Sequence, residues 1–429
     1  MGKLRVFISS AHIQNIAKLL SANVVAQVIG LVVYPILSRI YAPEDFGLLN
    51  LFLSIGGVIA ILATAELYNA IVLPKDDKEG VAVVHICFYL LLLVVGITTI
   101  SIFFTDSIAS LFKTTTLAKY YWAMPILVFA LGMWNILNYW YIRVSSYDRI
   151  SGYQLSSSLL SAGAKVSLGY LNILQGGMIY SVVFAPIASL LVSVVLSWKK
   201  GIKQLFHSSQ MDLRAVAKKY RNFPLYSLPK SLVNMLAGQL PVLLLTPVFG
   251  TREVGFWSMA LLLSFAPISL ISRSFYQVLY QQIVARINKG QTIGHYFRRF
   301  TLFILSMGIP FFSLLYWFMP NIVEVFLGKE WLISGTYIQW LLPWLLCSLL
   351  TSSTGFLADV FFKQHIGFGF EILTVTLRTL GVVAGVIMQD FSISIIGYAA
   401  GSAIAVLAQF IWLANLAKRY DKRVLENKE

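Results

Sequence analysis

Tyr41-Ala42-Pro43-Glu44-Asp45-Phe46-Gly47-Leu48 is a short polar stretch between two long apolar runs. A weaker copy follows downstream as Phe249-Gly250-Thr251-Arg252-Glu253-Val254-Gly255-Phe256. Each copy carries an aromatic residue, a polar turn, an acid, an apolar residue, a glycine and a further apolar residue. Gly47 and Gly255 stand 208 residues apart, and at that offset Ser38 meets Thr246, Asp45 meets Glu253, Phe46 meets Val254 and Leu53 meets Leu261. Apolar runs of similar length flank both copies. We read this as an internal duplication, a signature of repeated membrane architectures.

Composition sets the solvent. The chain has 429 residues, 58% of them hydrophobic and 12% charged. A soluble domain has about twice that share of charge. The fold class expected is therefore an all-α polytopic membrane protein. Cys87 and Cys347 both lie inside apolar runs and spell neither a disulfide framework nor a zinc site. No His-Glu-x-x-His, Walker or Rossmann pattern occurs, so no metal or other cofactor is expected. The net charge of +15 would suggest nucleic acid in a soluble protein. Here membrane topology sorts the basic residues, and nucleic acid is not expected as a partner. Met1-Gly2-Lys3-Leu4-Arg5 resembles the start of a signal peptide, but the apolar run after it is too long and lacks a clear cleavage site, so we read it as retained. Val6 stands where a myristoylation pattern needs Ser or Thr.

A membrane-spanning helix needs about 20 mostly apolar residues. That window finds about twelve spans: residues 13–38, 47–73, 81–104, 121–142, 153–174 and 177–198, then 226–249, 254–276, 300–319, 333–358, 368–388 and 393–417. Of the 33 Lys and Arg residues, only Arg39, Lys113, Lys119, Arg252 and Lys329 fall in loops on one side. Lys165, Lys230, Arg273 and Arg378 fall within spans, and the rest lie at the other side. By the positive-inside rule that second side is cytoplasmic, with both termini. The longest basic stretch, Lys199 to Arg221, interleaves charges with Leu205, Phe206, Leu213, Val216 and Ala217, as an interfacial helix does. It divides the chain into an N-terminal six-helix lobe at 1–198, a cytoplasmic basic linker at 199–225 and a C-terminal six-helix lobe with a cytoplasmic tail at 226–429. An even number of spans per half makes the repeats parallel, two lobes facing each other across a central cleft.

Charges deep in a span usually face a partner or a wet cavity. Lys165, near the middle of span five, shares a helical face with Ser161 and Ser158. That stripe reads either as a polar cavity wall or as a buried Lys bonded to neighbouring carbonyls. Arg378 stands near the middle of span eleven, one turn after Thr374; its guanidinium suits bidentate contact with phosphate or carboxylate. Lys230 and Arg273 lie nearer the cytoplasmic ends of spans seven and eight, where long basic side chains also snorkel to headgroups. Lys18 reads as such an end residue. Asn234 shares the face of Lys230, and Asn23 with Gln27 makes a neutral stripe in span one. Glu66, with Asn69 three residues on, is the acid well inside a span. It reads as a gate or proton-coupling group, either paired with Arg273 or held locally. Pro35, Pro229, Pro241 and Pro247 predict kinks in the first span of each lobe. Cations outnumber acids at depth, which favours an anion.

On three stretches the chain resembles polysaccharide transporters, the O-antigen or lipid-linked oligosaccharide flippases of the multidrug/oligosaccharidyl-lipid/polysaccharide superfamily. The first is Ser38-Arg39-Ile40-Tyr41-Ala42-Pro43-Glu44-Asp45-Phe46-Gly47-Leu48, a basic-aromatic, proline-acid-Phe-Gly pattern. The others are Ile71-Val72-Leu73-Pro74-Lys75-Asp76-Asp77-Lys78-Glu79 and Val248-Phe249-Gly250-Thr251-Arg252-Glu253-Val254-Gly255. The resemblance implies movement of undecaprenyl-pyrophosphate-linked sugar units from the cytoplasmic to the periplasmic leaflet of the bacterial inner membrane by alternating access. It implies a basic central cavity, which Lys165 and Arg378 match by position in their spans. Lys230, Arg273, Asn23 and Asn234 complete the expected substrate-binding set. It also implies membrane lipids, a polysaccharide polymerase and a chain-length regulator as partners. Multidrug exporters of the same superfamily use acids in spans one and seven, where this chain has Asn23, Gln27 and Lys230; such an antiporter is the alternative. A membrane polymerase or ligase would carry a large outer loop, and the longest here, around residues 105–119, is short, so an enzyme is not expected.

Overall fold

The computed structural model describes the backbone of residues 10–171, 174–198, 202–206 and 211–426. Among the described residues it is helical throughout, without strands. Eleven long helices carry it. In the first half they are α1 (Ser10–Ile40), α2 (Pro43–Thr64), α3 (Asp77–Ile100), α4 (Met124–Arg143), α5 (Tyr147–Tyr170) and α6 (Leu174–Ser197). Then come α7 (Leu228–Asn288), α8 (Gly294–Leu327), α9 (Leu332–Thr354), α10 (Gln364–Met388) and α11 (Phe391–Glu426). Helix α7 is 61 residues long and breaks from helical dihedrals at Gly250, so it supplies two of the expected spans. Nine of the described helical segments are long and apolar enough to cross a membrane. Their outward faces carry bare large apolar side chains, among them Phe103, Val325, Trp317 and Leu111. Such faces suit hydrocarbon as solvent, not water. The chain is a multi-pass membrane protein.

The opening motif is less of a loop than its polarity suggests. Only Tyr41 and Ala42 leave the helix; Pro43 begins α2. Proline at the first helical position gives up an amide that has no partner there anyway, and its fixed φ suits the start of a helix. Glu44 and Asp45 complement the helix dipole in that first turn. The Asp45 carboxylate reaches back to accept from the Ala42 amide at 3.0 Å. At the second copy the break shrinks to Gly250, with φ 83° and ψ 173°. That conformation is open to glycine and strained for other residues.

Two expectations change at the element level. Span two is not one helix: α2 ends at Thr64, Ala65 and Glu66 take left-handed dihedrals (φ 49° and 61°), and a 3₁₀ turn follows over Leu67–Val72. No Gly or Pro announces this break. The first half of α7, where Pro241 and Pro247 predict kinks, also leaves helical dihedrals at Gly250. Pro35 stays inside a continuous α1.

By packing, the described chain divides into two compact units, residues 1–252 and 253–429. In the first, α5 packs on α1 and α6, and α4 packs on α2 and α3. Trp140, Phe52 and Leu91 are fully buried there. In the second, α10 and α11 form the closest hairpin. A Cβ on Gly381 would stand 2.2 Å from the Gly397 carbonyl, so glycine on both helices is what lets the backbones touch. Trp257, Trp331 and Phe256 fill that unit's core. The linker docks on the start of α3. Its short helix Leu213–Lys219 ends with Lys219 paired to Glu79, Tyr220 donates to the same carboxylate at 3.0 Å, and His85 bonds to the Leu205 carbonyl at 2.7 Å. The Glu79 carboxylate holds the Lys219 ammonium above its ordinary range. Lys199, Lys200 and residues 207–210 of the basic stretch, with Lys3 and Arg5, lie outside the described residues.

Candidate functional site

The first unit holds a small polar cavity where α1 meets α5. Its volume is about 100 Å³, and Tyr34 of α1 and Ser158, Ser161 and Lys165 of α5 line it. The helical period that places 158, 161 and 165 on one face puts all three on this wall. Two hydrogen bonds hold the wall in place. Tyr41 donates its hydroxyl to the Lys165 carbonyl at 2.7 Å, and Ser158 donates to the Ala26 carbonyl at 3.1 Å. Tyr41 is itself 2% exposed, and its ring packs on Gly169 and Gly177. The opening motif thus positions the backbone that carries Lys165. The Lys165 ammonium has no hydrogen-bond or ion-pair partner among the described residues. Gln27 of the same α1 keeps a buried side-chain oxygen with no donor among the described residues. The cavity therefore offers a cation, three hydroxyls and no countercharge in its lining.

Arg378 has a different environment. Its Nε donates to the Ser402 hydroxyl at 3.0 Å, and its guanidinium lies 4.6 Å from the Tyr398 ring centre and 5.4 Å from that of Trp344. A guanidinium over aromatic faces is a stable arrangement within a packed helix bundle. Arg378 therefore joins α9, α10 and α11 and is not part of the wall of the second unit's large cavity. Both rings that Arg378 meets come from residues remote in sequence.

That large cavity, of about 720 Å³, lies between α7, α9, α10 and α11. Arg273, Tyr276, Thr351, Ser352, Glu371 and Gln409 line it. The Ser352 hydroxyl donates to that of Ser272 at 3.2 Å across the α7–α9 contact. Arg273 is exposed into this space. Glu371 was not among the residues expected from sequence. Its signal was there: an acid inside an expected span, 368–388.

The remaining expected residues scatter. Lys230 and Asn234 are exposed on the first half of α7. The side chains of Asn23 and Lys18 lie outside the described residues. Glu66 sits at the helix break and not in mid-helix. Its two carboxylate oxygens accept from Tyr68 at 3.0 Å and Asn69 at 2.7 Å. Tyr68 in turn packs on Tyr139, with ring centres 4.8 Å apart. Within its own unit Glu66 is held by these two local bonds. The cluster steadies the strained left-handed turn at Ala65–Glu66.

Solved structures of low sequence identity share this fold. The lipid II flippase MurJ, in an inward closed conformation, matches with a TM-score of 0.67 and 16% identity over 95% of this chain and 90% of that one. An inward-facing multidrug resistance MATE family transporter of the MOP superfamily matches with a TM-score of 0.59 and 14% identity, over 91% of this chain and 96% of that one. A search of curated proteins finds no match to the sequence. The family model described as "Polysaccharide biosynthesis protein" matches residues 36–335. That match begins just before the opening motif and runs past its second copy, taking in Lys165 and Arg273 on the way. With it, the chain belongs to the polysaccharide biosynthesis protein family.

Proposed function

We propose that this protein is a flippase that moves an undecaprenyl-pyrophosphate-linked oligosaccharide, an O-antigen unit or similar, from the cytoplasmic to the periplasmic leaflet. It works by alternating access in the bacterial inner membrane, with both termini cytoplasmic and two six-helix repeats at 1–198 and 226–429 joined by the linker at 199–225. Family membership and a fold shared with MurJ support transport of a lipid-linked sugar. The observation that carries the reading is Lys165, a cation at membrane depth that faces a polar cavity without a countercharge. Keeping such a charge in hydrocarbon costs about 2.5–3.5 kcal/mol on insertion scales. An arriving pyrophosphate offsets that cost and exchanges its water for the ammonium and hydroxyls of the wall. The polyprenyl tail, being apolar, stays in lipid. A polymerase and a chain-length regulator would receive the product, and membrane lipids surround the transporter.

The specific observation in favour of an organic-cation antiporter of the same fold is Glu371 on the wall of the large cavity. Binding separates the two. Purified protein should take up an anionic lipid-linked oligosaccharide more tightly than an organic cation such as tetraphenylphosphonium, and Lys165→Ala should weaken the first. Tighter cation binding that is lost in Glu371→Gln would establish the exporter instead.

A further inference from the structure

Glu44 and Arg252 occupy the same place in the two copies of the opening motif, since the offset of 208 that aligns Gly47 with Gly255 carries residue 44 onto 252. In the structure the two side chains meet: Arg252 Nε lies 3.4 Å from a Glu44 carboxylate oxygen. Equivalent positions of two parallel repeats touch only close to the axis that relates them. A residue duplicated unchanged there would face its own charge. This chain has an acid in one copy and a base in the other, which turns repulsion into attraction.

The contact continues inward along α2 and the first half of α7. Ser54 donates to the Gln239 side-chain oxygen at 2.6 Å. Met235 lies over Gly57 so closely that a Cβ there would stand 2.3 Å from the methionine methyl. From Glu44 to Gly57 the seam runs about 20 Å along α2 at the rise of an α-helix. It is narrow and polar at its mouth. Arg252 and Glu44 side chains are 57% and 36% exposed, so water already reaches the pair. An exposed ion pair is weak and screened by salt, which suits a contact that must open repeatedly.

We propose that Glu44 and Arg252 form a latch at the non-cytoplasmic end of the seam between α2 and the first half of α7, with Ser54–Gln239 as the bond beneath it. The pair holds the two corners together and separates when α2 and the first half of α7 part. The inference rests on the orientation proposed above and is independent of which substrate the protein carries.

The test uses the full chain in membranes, with Cys87→Ala and Cys347→Ala to remove native thiols and Gln239→Cys as reporter. A membrane-impermeant maleimide is added from the non-cytoplasmic side. Glu44→Arg and Arg252→Glu should each raise the labelling rate about two- to fivefold, the range an exposed pair supplies. The double swap should return it to the parent rate. Glu44→Gln and Arg252→Gln, which are gentler on insertion, should raise it in the same direction. Raising salt should speed labelling of the parent and leave the neutral variants unchanged. Unchanged labelling in the single variants overturns the latch, as does a double swap that labels as fast as either single. Labelling only from the cytoplasmic side overturns it too. Loss of polysaccharide transport plays no part in the readout, so failure of the substrate reading and failure of the latch are told apart.

Discussion

Lys165 and Arg378 make the most instructive pair of regions in this protein. Each is a lone cation near the middle of a spanning helix, in the fifth span of each proposed repeat. Each has a hydroxyl residue one turn before it, Ser161 or Thr374. The structure treats them differently. Lys165 faces a cavity of about 100 Å³ with no partner among the described residues. Arg378 is stacked on Tyr398 and Trp344 and bonded to Ser402. The difference follows from chemistry as well as position. A guanidinium is planar and weakly hydrated and lies readily on aromatic faces, whereas an ammonium is a compact, strongly hydrated charge that needs oxygens or water around it. An Arg can be satisfied by a bundle's own rings, whereas a Lys needs oxygens or water.

Substitutions at three positions can break or sharpen that contrast. The largest effect is expected from Lys165→Ala. Removing the charged donor costs roughly 1.5–3 kcal/mol of contact with an anion, or about tenfold or more in function. Surface polysaccharide should fall by that factor while immunoblots show unchanged protein in the membrane. Arg378→Ala should act on stability instead. Two ring contacts at roughly 0.5–2 kcal/mol each and a hydrogen bond are lost, so thermal unfolding in detergent should move down while transport per folded molecule holds. Arg378→Lys should recover only part of the loss. If Arg378→Ala abolishes transport at full stability, the two cations are equivalent after all. The smallest effect is expected from Tyr41→Phe, which removes one hydrogen bond to the Lys165 carbonyl, worth about 0.5–1.5 kcal/mol. Transport should drop modestly, in the same direction as Lys165→Ala. An effect on Arg378-type stability alone would detach the opening motif from the cavity.

The hinge of the second copy adds a comparison of its own. The first corner spends two residues and a proline start on its turn; the second spends one glycine. The acids that align across the repeat have also diverged. Asp45 closes its own helix end through the Ala42 amide, while Glu253 accepts from Tyr337 of α9 at 2.6 Å. One acid caps its own helix and the other is tied to a neighbouring helix. A duplicated motif keeps its place in the fold while its bonds are reassigned.

Much of the architecture was legible in the chain as written. Hydrocarbon leaves a helix only one way to satisfy its backbone, so apolar runs of sufficient length mark the spans almost without regard to context. The same constraint made the polar corners, the basic linker and the Ser158–Ser161–Lys165 face readable, since each depends on local periodicity or on charge alone. Other features depended on residues distant in sequence. The break at Ala65–Glu66 has no Gly or Pro to announce it and is held by Tyr68, Asn69 and Tyr139. The stacking of Arg378 needed Trp344 and Tyr398 from two other helices. Glu371 gained meaning only when four helices enclosed the space in front of it. By itself the sequence determined where the chain meets lipid, because transfer of apolar surface is additive along a helix. The tertiary structure alone decided which of the two cations meets partners among the described residues, because that depends on the neighbours a side chain meets across the bundle, and helical periodicity does not encode them.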